Sequence, residues 1–139
     1  MTWKHRCVDI QVVAALASAL MALAAAFQLG LAAGAPWGVA AYGGRAALGD
    51  GTLPVAYRFG SGVAALVLLG AIWVVLGSVS IVGRGPTSSA LTTVLLWCLA
   101  ALFALNTLGN ARGRHPLERW GGGTVTAVLS VLCVLIAAN

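Results

Sequence analysis

The stretch FGSGVAALVLLGAIWVVLGSVSIVG, residues 59–83, decides the fold. It holds no charged residue, and a helix needs roughly 20 apolar residues to cross a hydrocarbon core about 30 Å thick. Barrel strands would show short segments of alternating polarity, and this run does not alternate. Outward from it, three more charge-free runs occupy residues 10–44, 85–111 and 120–139. Each is long enough for one span and none for two comfortable ones. The expected spans are residues 8–33, 60–82, 88–108 and 121–138. Backbone N–H and C=O groups must be paired internally in lipid, so these spans are helices. The chain therefore reads as an all-α membrane protein with one transmembrane domain, residues 1–139. It is built from two helical hairpins, about 8–82 and about 88–138.

Composition agrees. Hydrophobic residues make up 60% of the chain and charged residues 8%, against about 25% charged in ordinary soluble domains. No soluble fold hides that much apolar surface, so lipid is part of the solvent. The basic start KHR and the following apolar run superficially resemble a secretory signal. The run is too long for a signal's short apolar region, and a retained helix is expected. Cys7, Cys98 and Cys133 are widely separated and form no C-x-x-C, so they read as apolar filler. The formal charge of +5 on so small a membrane protein points to anionic lipid headgroups. Nucleic acid is excluded as a partner, because no basic helix or soluble module exists to carry it. Arginine far outnumbers lysine, and alanine and glycine abound, a usage typical of GC-rich bacterial genomes. The loops carrying Arg45, Arg58, Arg112, Arg114 and Arg119 outweigh the side with Lys4, Arg6 and Arg84. The positive-inside rule then makes the long loops cytoplasmic at the plasma membrane.

The two hairpins share a pattern. RFGSGVAALVL, residues 58–68, lines up with RWGGGTVTAVL, residues 119–129, and LAAAFQL, 23–29, with LAALFAL, 99–105. Order and direction agree, as a parallel internal repeat requires; such repeats are frequent in membrane transport folds. Helix one also carries small residues at every fourth position, Ala14, Ser18, Ala22, Ala26, Gly30, Gly34 and Gly38. That ridge predicts close helix packing or an oligomer contact.

Nearly all unusual polar residues fall at the end where helices one and three finish and helices two and four begin. Arg58 and Arg119 are the leading candidates. A helix start presents unpaired N–H groups and a partial positive charge. With Gly60, Gly62, Gly121, Gly122 and Gly123 leaving the backbone open, an arginine there forms an anion site. The simpler account is an anchor, with arginine on lipid phosphate and Phe59 or Trp120 in the headgroup belt. Arg45 and Arg112 join the same layer. Gln28, Asn106 and Asn110, near helix ends, are candidates for interhelical hydrogen bonds or for facing a ligand. Glu118 and His115, three residues apart, are weak candidates for a general acid and base. GAPWGVAAYGG, residues 34–44, with Pro36 ending the first helix, places Trp37 and Tyr42 at the interface, or over the polar layer as a lid.

The chain holds no phosphate-loop, dinucleotide or zinc-binding motif, and no cofactor or metal is expected. No acid lies mid-span, which disfavours a proton-coupled pump. The GAPWG…YGG, LP…YR and NARGRHPLERW stretches resemble those of a group of small four-helix bacterial membrane proteins. That resemblance implies fold and location but no activity. The expected function is binding or accessory: an arginine-rich interfacial layer contacting anionic lipid or a lipid-like ligand, in a protein able to self-associate. The alternatives are a small membrane enzyme acting on a lipophilic substrate, and an oligomeric transporter or channel.

Overall fold

A computed structural model describes residues 9–81 and 88–139. Lys4, Arg6, Cys7, Arg84 and Pro86, the first residue of the expected span 8–33 and the last of 60–82 lie outside the described residues. Among the described residues there are no strands. Four long helices form: α1 (Ile10–Ala33), α2 (Val55–Ser78), α3 (Ser89–Ala111) and α4 (Gly123–Ala137). A π-helical turn, Leu117–Gly122, leads directly into α4. Counting the π turn with α4 as Leu117–Ala137, all four spans are long and apolar enough to cross a membrane. At 1.5 Å per residue, the 24 residues of α1 cover about 36 Å.

Local chemistry explains the boundaries. Asp9 caps α1, its carboxylate accepting the Gln11 N–H at 3.0 Å. Gly34, at φ 95°, ends α1 in the left-handed conformation. The Gly34 and Ala35 N–H groups then close onto the Leu31 and Gly30 carbonyls. Ser88 caps α3, accepting the Leu91 N–H. The start of α2 differs from expectation. It begins at Val55, because the Pro54 carbonyl accepts the Tyr57 and Arg58 N–H groups and so closes the first turn. Arg58 and Phe59 therefore lie inside the helix rather than before it. At its far end α3 runs one turn beyond the expected 108, to Ala111.

α1 packs chiefly on α2, and α3 chiefly on α4; α1 also packs on α4, and α2 more lightly on α3. The chain thus runs up, down, up and down, with α1 and α3 on one diagonal and little direct contact between them among the described residues. The main core gathers Ala14, Ala17 and Met21 of α1, Val75 of α2, Leu96 and Phe103 of α3, and Leu129 and Cys133 of α4. A second, smaller core of Leu31, Ala41 and Leu53 lies under the α1–α2 loop. Outside, Leu16, Leu66, Trp73, Trp97, Leu105 and Val131 are exposed, as lipid-facing side chains must be. The expected small-residue ridge is not one packed stripe. Ala14, Ser18 and Gly38 are buried, while Ala22 and Ala26 are exposed. A row at every fourth residue winds about 40° around the helix per step, so it leaves the interface after two turns.

Candidate functional site

The polar layer is built by two loops that behave differently. In the α1–α2 loop the Trp37 ring folds back onto Gly30, where any side chain would collide with it. It stacks on Phe27 with centroids 5.9 Å apart. Tyr42, Gly43 and Gly44 follow at φ 52°, 76° and 69°, three successive left-handed residues. For a tyrosine that conformation is strained and must be held by its surroundings. The Tyr42 hydroxyl donates to the Tyr57 carbonyl at 3.3 Å and lies 2.9 Å from the hydroxyl of buried Ser61. The Tyr42 ring meets Tyr57 edge-on.

Arg58 turns back toward α1. Its Nε donates to the Ala32 carbonyl at 3.0 Å, and its guanidinium covers Gly34, where a Cβ would lie 3.2 Å away. The last carbonyls of a helix have no partner of their own, and Arg58 supplies one. Arg119 does the opposite. It is exposed, with its guanidinium 5.5 Å from the Trp120 ring centroid.

Glu118 is the unexpected residue. The π turn, closed by the Gly123 N–H reaching the Glu118 carbonyl, carries its side chain inward until only 7% of it is exposed. Oε1 accepts the Gly43 N–H at 2.7 Å, linking the two loops across 75 residues of sequence. The carboxyl rests on Gly113, where a Cβ would stand 2.5 Å from Oε2. Gly122 similarly admits Asn110, whose Nδ2 would be 3.2 Å from a Cβ there. Asn110 Nδ2 reaches the Thr126 hydroxyl at 3.4 Å, and the Thr107 and Thr126 hydroxyls are 2.9 Å apart. Ser130 donates to the Ala100 carbonyl, fastening α4 to α3 deeper in the membrane.

Between α1 and α3, under Tyr42 and Gly43, lies a cleft of about 700 Å³. Leu23, Phe27 and Val125 line its inner part; Gln28, Asn106, Asn110, Thr126 and Glu118 supply polar groups. Leu23 and Asn106 are exposed, so the cleft opens sideways between the two helices. Gln28 Oε1 and Glu118 Oε2 are buried without a hydrogen-bond partner among the described residues.

Of the residues singled out in the sequence, Gln28, Asn106, Asn110, Tyr42 and Glu118 line the cleft. Arg45, Arg58, Arg112, Arg119 and His115 do not; Arg45 and Arg112 are exposed. His115 Nδ1 accepts the Leu117 N–H at 3.3 Å at the start of the π turn. The Glu118–His115 pair is therefore not brought together in the cleft. Sequence reasoning missed Thr126, Ser61 and Gly43. Thr107 and Asn110 on one face of α3 were the available signal for a polar patch facing Thr126. Comparison with family models, curated proteins and solved structures finds no match to this chain.

Proposed function

We propose that this chain is a membrane binding or accessory protein that holds a lipid-like amphiphile in the cleft between α1 and α3. The observation that carries this reading is the mixed lining of the cleft, in which apolar Leu23, Phe27 and Val125 stand beside a polar set that includes Tyr42, Asn110 and Glu118 at the loop end. An acyl chain fits the inner part and a polar head the outer part. The volume lies in the small-molecule range of roughly 300–1,000 Å³, and the lateral opening faces the bilayer from which such a ligand enters. Arg45, Arg112 and Arg119, exposed at the same end, contact anionic headgroups of the surrounding lipid. In this reading the arginine-bearing loops are cytoplasmic at a bacterial plasma membrane.

The test is native mass spectrometry of the full chain extracted in a neutral detergent. Wild type carries a bound amphiphile, and Ala24→Trp, which fills the cleft from α1, loses it. Unchanged adducts in Ala24→Trp would refute the cleft as the binding site. The Arg45→Ala, Arg112→Ala, Arg119→Ala triple variant keeps the bound molecule and co-purifies with less anionic lipid.

A further inference from the structure

We propose that the cleft selects amphiphiles whose head is a primary ammonium over those ending in a carboxylate. This rests on the reading of the cleft as an amphiphile site and adds the chemistry of its ligand. Glu118 is the one charged side chain that lines the cleft among the described residues. It is more than nine-tenths buried, and among the described residues its carboxyl receives a single N–H, from Gly43, while Oε2 has no donor. Across the cleft on α1, Gln28 Oε1 is likewise buried and without a donor among the described residues. The cations of the polar layer do not offset this acidity. Arg58 is committed to the Ala32 carbonyl, Arg119 lies exposed against Trp120, Arg45, Arg112 and Arg114 are exposed, and none of the five lines the cleft.

Where water is scarce a single buried carboxylate dominates the local potential, favouring a cation and opposing a second anion. A primary ammonium brings three N–H donors and no acceptor, which suits a cleft whose one charged lining residue among the described residues is a carboxylate. Gly113 lets the carboxyl occupy this position, since any side chain there would collide with it. The ammonium can belong to a free long-chain amine or to an ethanolamine-headed phospholipid.

The experiment uses chain-matched probes, dodecylamine, dodecanoate and 1-dodecanol, bound to the full-length protein in neutral detergent. Binding is read by native mass spectrometry and calorimetry. Wild type binds dodecylamine at least about tenfold more tightly than dodecanoate, a gap of about 1.4 kcal/mol. Glu118→Gln, which keeps the shape and can still accept from Gly43, brings the two within about threefold and leaves dodecanol binding intact. Gln28→Leu, which leaves the Gly43 contact untouched, also weakens the amine relative to dodecanol. Equal or tighter binding of dodecanoate by wild type overturns the ammonium preference while leaving the cleft reading standing, as does a preference that survives Glu118→Gln. Failure of all three probes, or binding of all three unaltered in Ala24→Trp, overturns the cleft reading itself. In nanodiscs, retention of phosphatidylethanolamine over phosphatidylglycerol identifies a membrane lipid as the ligand; retention of dodecylamine alone identifies a free amphiphile.

Discussion

The segments YRFGSG, residues 57–62, and ERWGGG, residues 118–123, look alike and do different work. In the first, the helix is α from Val55, and Arg58 reaches inward to close the end of α1. In the second, the backbone is π-helical, Arg119 faces out, and the residue before it points inward. That preceding residue is Tyr57, exposed, in the first segment and Glu118, buried, in the second. Pro54 stands a full turn before Arg58, whereas Pro116 is one residue nearer to Arg119. One residue is about 100° of helix rotation, so the shared pattern presents different faces to the bundle. A matching string of residue types does not make a matching site when its distance from the fixed helix start differs.

The largest expected effect is at the seat of Glu118. Gly113→Val drives a side chain into the carboxyl and breaks its bond from Gly43. Overpacking and the lost charged hydrogen bond together should destabilise by about 3 kcal/mol. Thermal unfolding in detergent measures it. Combined with Glu118→Ala the two losses should fall well short of additive, because both remove the same contact. Full additivity would show that Gly113 acts independently of Glu118.

The next effect separates the two arginines. Arg58→Ala removes a charged donor from a helix end and should destabilise by about 1.5–3 kcal/mol. Arg119→Ala should change stability by less than about 1 kcal/mol, since among the described residues its side chain makes only an exposed contact over an aromatic ring. Arg58→Lys should not restore the loss, because Nε is the donating atom and lysine lacks a donor at that place. Equal unfolding temperatures for Arg58→Ala and Arg119→Ala would erase the contrast and return both residues to the role of interfacial anchors.

The fold was legible because charge-free runs and lipid thickness leave few alternatives. The start of α2 was legible in principle, since Pro54 is a strong boundary signal, but the aromatic and glycines after it drew the expected boundary to residue 60. Half of the polar layer was legible too. Gln28, Asn106, Asn110 and Tyr42 do gather at one cleft, because polar residues near the ends of two diagonal helices and in the loop above them have few other places to go. The partner of Arg58 was not legible, because it is a backbone carbonyl, which every residue carries. Nor was the inward turn of Glu118, which depends on a π turn that the glycines permit without announcing. In each case the missing information was a backbone direction rather than a residue type.

The smallest expected effect contrasts the loops themselves. The α1–α2 loop contains a local hydrogen-bonded turn in which the Asp50 carboxylate accepts from the Thr52 hydroxyl at 2.7 Å and its N–H at 2.9 Å. These bonds, the hydroxyl's first, hold the Asp50 carboxyl below its ordinary value. A carboxyl with a depressed folded pKa adds stability above its unfolded pKa of about 3.9, and that stability is lost as pH falls through the folded value. Thr52→Val removes the hydroxyl and keeps the N–H, so the folded value moves back toward the unfolded one. The variant should therefore be slightly less stable than wild type at pH 7 and level with it near pH 2, with the two converging below about pH 4. Because Asp50 is fully exposed, the difference is small and screened by salt. Unfolding curves at low ionic strength across that range measure it. A variant whose deficit persists unchanged at pH 2 would place the role of Thr52 in packing, not in the charge of Asp50.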